Sequence, residues 1–460
     1  MTDLKAAGAV SRTVSGMMER RNGGSARWLR PVLGLAVALA LAGCETPTPP
    51  ANGEVPGPET PDTPSPAPDA SGGGFTFATS GDTTFDDWRA SFASQALGAG
   101  RGRAAIESVL DGLIPLEEQF QVAAIEQAEF VKPIWDYAKS AVSPTRVSTG
   151  RSKLADNATA LTGIEAEYAP PREILGAIWG MESSYGAVIG NIDAPRALAT
   201  QAAKGRRQSF NETELMAIMQ LIEDGSATRT QFAKASWAGA LGQTQFMPTT
   251  FLRYGRDFDH DGHKDLWANP GDALASAANY LTQMGWKKNQ PWALEVGVPD
   301  GFDYSLGDGR KKSLAEWKAL GLAPANPVVA NGADALSADL FLPAGSYGPA
   351  FLLFDNFYAI KKYNNADSYA LAIGLLADQL AGRPELSRPW PTNIQMLTTD
   401  QAMRLQGSLN TLGFNAGAVD GIIGRGTRGA LQRFQKAHGL LADGFPTQAM
   451  LTAVLNAAGD

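Results

Sequence analysis

Pro170-Pro171-Arg172-Glu173-Ile174-Leu175-Gly176-Ala177-Ile178-Trp179-Gly180-Met181-Glu182-Ser183-Ser184-Tyr185-Gly186 is the stretch that sets the fold of this chain. Two prolines open the segment and Gly186 closes it. Between them Ile174, Leu175, Ile178 and Trp179 recur at the three- and four-residue spacing of one helix face. Glu182 falls on that same face, where an apolar side chain belongs. A carboxyl in apolar surroundings is costly to ionise, so its pKa is expected to rise. The negative end of the helix dipole pushes the same way. A carboxyl still protonated near neutral pH is what protonation of a leaving oxygen requires. Periodicity alone leaves a second reading open, a structural glutamate paired with an arginine.

The words around Glu182 carry more. Trp179-Gly180-Met181-Glu182-Ser183-Ser184-Tyr185-Gly186 resembles the catalytic segment of lytic murein transglycosylases. Ser236-Trp237-Ala238-Gly239-Ala240-Leu241-Gly242-Gln243-Thr244-Gln245-Phe246-Met247-Pro248 resembles their second motif. The likeness is to the membrane-bound B family and runs from about Phe85 to Leu380. It implies a lysozyme-like fold that cleaves the glycan of peptidoglycan at the MurNAc–GlcNAc bond. It also implies one catalytic carboxyl, Glu182, acting as acid and then base, with a 1,6-anhydro ring closed on the product. By the same resemblance Ser236 and Gln245 orient the acid and bind sugar, and Tyr280 is an active-site tyrosine. Tyr363-Asn364, with Tyr369 further on, matches a late substrate-binding segment, and Arg206-Arg207 matches a basic pair that meets a peptide or lactyl carboxylate. Phe210 stands where the family often has Tyr.

Read from the residues alone, Gly239 and Gly242 let backbone approach a sugar closely, and Gln245 can both donate and accept. Glycosidases usually use two carboxylates, yet only Glu182 is marked by its context. Glu165, Glu167, Glu173, Glu212 and Glu214 read as solvated helix positions. A hydrolytic muramidase is therefore one alternative, and a non-catalytic peptidoglycan-binding lipoprotein is another.

The chain has 460 residues, 44% of them hydrophobic, enough for two or three domains with a sizeable core. Net charge is -8, which excludes a basic nucleic-acid footprint. The single cysteine, Cys44, excludes an intramolecular disulfide. Arg27, Arg30 and Pro31 precede an apolar run, Val32 to Ala42, too short to span a bilayer comfortably. Leu41-Ala42-Gly43-Cys44 follows and resembles a bacterial lipobox, which implies lipidation of Cys44. Glu45 beside it points to the periplasmic face of the outer membrane. From Glu45 to about Ser80 the chain is rich in Pro, Thr and Gly and cannot bury enough surface to fold. About 30 such residues at roughly 3.1 Å each reach on the order of 90 Å, a tether from membrane to wall.

The rest reads as mainly α. Helices are expected over Phe85–Leu110, Leu116–Ala141, Ser152–Tyr168, the Glu182 segment, Phe210–Ile222 with Asn211 as cap, and Ala350–Leu380. Small strands and loops are expected in Val296–Leu342, where Gly, Pro and Asp crowd. Past a polar, Pro-containing stretch, Leu405, Leu409 and Leu412 form one helical stripe and Asp420-Gly421 marks a turn; Thr427 is expected to cap a second helix bearing Leu431 and Phe434. These residues resemble the small three-helix peptidoglycan-binding domain of cell-wall hydrolases. Arg425, Arg428, Arg433 and Lys436 make this end locally basic, suited to anionic wall polymers or to solvent. The expected organisation is a signal peptide (1–43), tether (44–80), α+β lysozyme-like catalytic domain (81–381), linker (382–397) and three-helix module (398–457).

Asp257-Phe258-Asp259-His260-Asp261-Gly262-His263-Lys264-Asp265 places Asp at loop positions one, three and five and Gly at six, the start of an EF-hand-type calcium loop. Position twelve is Ala268, so the bidentate acid is missing, and Asp272 is the expected substitute. The ligand set read here is Asp257, Asp259, Asp261, His263 and Asp272, a structural Ca²⁺ site; a metal-free acidic turn is the other reading. His260 and His263 lack zinc-like partners. No organic cofactor is expected. The partners expected are peptidoglycan glycan strands and a membrane through the N-terminal lipid, with the chain a monomer.

Overall fold

Apolar residues recurring at helical intervals dominate residues 83–283, and the backbone answers with ten helices among the described residues. The computed structural model describes residues 74–117, 133–205, 207–326 and 332–459. The helices are α1 (Thr83–Gly98), α2 (Arg103–Leu110), α3 (Ile134–Ala141), α4 (Pro144–Asp156) and α5 (Ala158–Glu167). They continue with α6 (Arg172–Ser183), α7 (Ala194–Ala203), α8 (Gln208–Glu223), α9 (Pro248–Tyr254) and α10 (Pro270–Gln283). Asp82, Ser143, Asp193 and Asn269 cap their helices by accepting first-turn N–H groups.

Several expected boundaries move. Phe85–Leu110 is two helices, because Gly100, at φ 86°, breaks the run between them. Ser152–Tyr168 divides at Asn157, which belongs to neither helix and flanks both. Asn211 is not a cap: α8 begins at Gln208, and Asn211 is buried inside it. Of Leu116–Ala141, residues 118–132 lie outside the described residues and only Ile134–Ala141 is helical.

Strands β1 (Ala293–Gly297), β2 (Lys312–Ser313), β3 (Ala323–Pro324), β4 (Ser337–Phe341) and β5 (Ala350–Leu353) form an antiparallel sheet of order β2-β4-β5-β1-β3. Ala350 therefore starts a strand, not the expected helix. The period of two sorts β5 between two cores: Phe351 and Leu353 face the main helical core, while Ala350 and Leu352 face a smaller one under Leu314 and Trp317. Those two residues belong to α11 (Leu314–Ala319), which a Ser313–Glu316 capping box starts. Then come α12 (Asp355–Tyr363) and α13 (Asp367–Leu380). Helices α6 and α13 pack together and are buried almost all round, so they form the centre of the molecule.

Residues 382–397 hold no helix or strand but are docked: Ser387 and Arg388 backbone N–H groups donate to the Glu295 carboxylate. The C-terminal module is α14 (Thr399–Thr411), α15 (Arg425–Ala437) and α16 (Gln448–Ala458) around Leu405, Leu409, Leu431, Phe434 and Val454. Gly424, not Thr427, precedes α15, and the Thr427 hydroxyl instead accepts from Gln406. Part of the basic surface read from the sequence meets the catalytic part. Arg428 donates to the Leu342 and Pro343 carbonyls, and Lys436 to the Ser305 hydroxyl. Asp443 accepts from the backbone N–H and hydroxyl of Ser346. The module is thus joined to the catalytic part by polar contacts over one face.

Candidate active site

Helix α6 ends abruptly. Ser184, Tyr185 and Gly186 all take left-handed backbone, at φ 51°, 61° and 82°. For the two non-glycine residues this conformation costs of order 1 kcal/mol or more each, strain of the kind that collects at functional sites. The turn brings Tyr185 edge-on to Trp179 at 5.7 Å and lets its hydroxyl donate to the Arg146 carbonyl. Gly186 is needed here: a Cβ at this position would stand 2.5 Å from Gln243 Oε1. Gln243 locks the second motif against α6, accepting from Trp179 Nε1 at 3.0 Å and donating to the Trp267 carbonyl.

The second motif is a knot of turns rather than a helix. Bridges Ile192–Ala235, Ala235–Leu241 and Leu241–Phe246 fold it beside the chain leaving α6. Ser236 Oγ accepts from the Ala238 and Ala240 backbone, which holds the turn. Gln245, at φ 50° and 4% exposed, donates to the Gly242 carbonyl at 2.8 Å. Both residues therefore shape the loop.

Glu182 is 4% exposed in the last turn of α6, and Tyr369, fully buried in the first turn of α13, donates to its Oε1 at 2.5 Å. Tyr369, expected from the resemblance in a substrate-binding role, is fully buried and meets the acid directly. Tyr363, at the end of α12, donates to the Thr244 carbonyl and ties the second motif to this group. Burial first, and then the nearby Glu182 carboxyl, hold the Tyr363 and Tyr369 phenols well above their ordinary range. Both remain protonated donors. The half-buried Tyr280 ring lies edge-on to Tyr363 at 5.3 Å and 5.9 Å from Phe246, and its hydroxyl donates to the Lys362 carbonyl. Asn364 is buried in the turn between α12 and α13.

Other expected residues lie elsewhere. Arg207 is exposed at the start of α8 with its guanidinium 4.2 Å from the Phe210 ring centre, so Phe210 serves as a stacking face. Arg206 and Cys44 lie outside the described residues. Glu214 is not solvated: it is 2% exposed and accepts from the backbone N–H and hydroxyl of Thr249. Its place between apolar Phe210 and Leu215–Ile218 was the available signal. Gln243 carries no expected role, and nothing local marks the carbonyl partner of Tyr363, because the partners lie 64 and 119 residues away in the chain.

In the acidic loop the carboxylate oxygens of Asp257, Asp259 and Asp272 come within 4.8 Å of one another. Asp272 is fully buried; burial first, with Asp259 and Asp257 adding to it, outweighs its two backbone hydrogen bonds and pushes its carboxyl above the ordinary value. Three converging acids with one of them buried suit a hard cation. The group is narrower than the expected ligand set: Asp261 and His263 are not among the ligand atoms that converge.

A buried acid at a helix end, two phenols and a tight glycine turn around it, and a helical body carrying a small sheet make up the arrangement of a lysozyme-like peptidoglycan lytic transglycosylase. Residues 84–378 match the Transglycosylase SLT domain family, and the chain belongs to it. Residues 398–454 match the family described as Putative peptidoglycan binding domain. The chain is 32% identical over 251 residues to membrane-bound lytic murein transglycosylase B of Escherichia coli (strain K12), a match covering 53% of this chain and 66% of that protein. It is 43% identical to SltB3 from Pseudomonas aeruginosa, crystallised in complex with NAG-anhNAM-pentapeptide, with TM-score 0.76 over 81% of this chain and 100% of that one. Slt35 of Escherichia coli in complex with calcium is 28% identical, with TM-score 0.54 over 64% and 92% of the two chains.

Proposed function

We propose that Glu182 alone performs both proton transfers of a non-hydrolytic cleavage of peptidoglycan. Its carboxyl gives its proton to the oxygen between N-acetylmuramic acid and N-acetylglucosamine, and the bond from C1 to that oxygen breaks. The carboxylate then takes the proton of the muramic acid C6 hydroxyl, whose oxygen bonds C1 and closes a 1,6-anhydro ring. Glu182 ends protonated, and no water is consumed. The observation that carries this reading is one buried carboxyl in the last turn of α6 that accepts from the buried Tyr369 hydroxyl. Burial disfavours the anion before cleavage, and the Tyr369 hydroxyl stabilises it afterwards. The bound fragments of SltB3 from Pseudomonas aeruginosa, NAG-anhNAM-pentapeptide and NAG-NAM-pentapeptide, support the same substrate here.

Asp257, Asp259 and Asp272 would hold a Ca²⁺ ion, which supplies positive charge that relieves their repulsion and pins the loop to α10. The envelope location, lipid anchoring at Cys44 and monomeric state complete this reading. Mass spectrometry of the released muropeptides tests the reaction: an anhydro product is lighter than a hydrolytic one by one water. Free reducing ends on the products would make the protein a muramidase.

A further inference from the structure

Arg425 opens helix α15 of the C-terminal module, yet its guanidinium sits among groups of the catalytic part. Nη1 lies 3.1 Å from the Tyr358 hydroxyl and 3.4 Å from Asp339 Oδ2, and Nε lies 3.1 Å from Asp367 Oδ2. Tyr358 belongs to α12, five residues before Tyr363, and Asp367 opens α13, two residues before Tyr369. One side chain of the module therefore grips both helices that deliver phenols to Glu182. The contact is built rather than incidental. Asp339, in β4, is 1% exposed and accepts from Tyr358 at 2.6 Å, and Lys361 pairs with the other oxygen of Asp367 at 2.8 Å. Burial alone would raise the Asp367 carboxyl, but Arg425 and then Lys361 outweigh it and hold it below its ordinary value. Without Arg425, Asp367 would keep only Lys361 of α12 as its cation, Asp339 would lose its own, and the first turn of α13 would lose its tie to the module.

We infer that Arg425 is a positioning residue for catalysis: by holding the starts of α13 and the body of α12 together it sets Tyr369 and Tyr363 against Glu182. The C-terminal module then contributes to the rate of bond cleavage, apart from any hold on the wall. This rests on the reading of Glu182 given above.

The test uses the full-length protein and a soluble glycan fragment, with kcat and KM measured separately and sacculus binding followed by co-sedimentation. Arg425→Ala should lower kcat roughly 3- to 30-fold, the range of measured long-range couplings, with KM and sacculus binding within about twofold of wild type. Arg425→Lys keeps charge but not the planar fork and should recover part of the rate. Asp367→Asn removes the partner on the catalytic side and should reproduce the kcat loss if Arg425→Ala does not fold. In a double-mutant cycle, Arg425→Ala should cost much less in a Tyr369→Phe background than alone. Wild-type kcat in Arg425→Ala or Asp367→Asn, or full additivity with Tyr369→Phe, overturns the inference. Glu182→Gln separates the two levels: if it stays fully active the functional reading fails, and if it is inactive while Arg425→Ala is normal, only the role of Arg425 fails.

Discussion

Glu182 could be found from sequence because an acid on an apolar helical stripe breaks a local rule that a few neighbouring residues define. What surrounds it could not. Tyr369 lies 187 residues away in the chain, and nothing in its own segment distinguishes a phenol behind the acid from one facing the sugar. Ser236 and Gln245, expected from the resemblance to orient the acid and bind sugar, also hold their own turn: Ser236 Oγ accepts from the Ala240 backbone and Gln245 Nε2 donates to the Gly242 carbonyl. Two predictions belong at this scale. Glu182→Gln keeps the shape and removes the proton, so activity should fall by about 10²–10⁴-fold or more while binding of glycan survives, as kinetics beside a binding isotherm would show. Tyr369→Phe removes one hydrogen bond to a charged form, worth about 1.5–3 kcal/mol, so kcat should drop roughly 10- to 100-fold with KM little changed. A Tyr369→Phe enzyme with normal kcat would mean that the phenol is only packing.

Among the elements, long periodic helices were legible and their ends were not. The period of apolar residues continues across Asn157 while the backbone breaks there, the break at Gly100 falls in the glycine-rich run Gly98-Ala99-Gly100-Arg101-Gly102, and β5 shows no alternation because its four apolar residues are buried on both faces. Helix α13 shows how one element serves two ends. At its start Tyr369 meets Glu182; near its finish Asp378 accepts from Trp292 and pairs with Arg383 beside a cleft of about 1180 Å³. Burial pushes the Asp378 carboxyl up to about 6, against which Arg383 pulls only in part. The folded chain therefore keeps a proton that the unfolded chain releases. Its contribution to stability is full below about pH 4 and is lost as pH rises through 6, a change of about 1–3 kcal/mol. Asp378→Asn should flatten the fall of melting temperature between pH 4 and 6, and an unchanged pH slope would refute it. In the loop before α10, chelation should lower the melting temperature. A ligand at 100 times its Kd adds about 2.7 kcal/mol, and Asp259→Ala should abolish the response. A melting curve indifferent to added calcium would leave the loop as a metal-free turn.

At the scale of the whole molecule, the module and the anchor impose different constraints. The module is not slung on a loose linker: residues 387 and 388 clamp Glu295, and Arg425, Arg428 and Asp443 bind it to the catalytic part. Whatever glycan it holds is held at a fixed place relative to Glu182. On the proposed anchoring at Cys44, reach toward the wall would come from the other end of the chain. There composition is the guide: the Pro-, Thr- and Gly-rich stretch after Cys44, the expected tether, would reach on the order of 90 Å if drawn out. Among the described residues no helix is long and apolar enough to cross a membrane. Cys44→Ala should move the protein to the soluble fraction and abolish incorporation of labelled lipid. Cleavage of a soluble glycan fragment should be unchanged, because Cys44 lies outside the catalytic domain, while turnover of intact wall in the cell should fall as the enzyme loses its fixed distance from the substrate layer. Membrane fractionation that is unaltered by the substitution, with no lipid label on the wild type, would remove the anchor and leave the extended segment without a surface to span from.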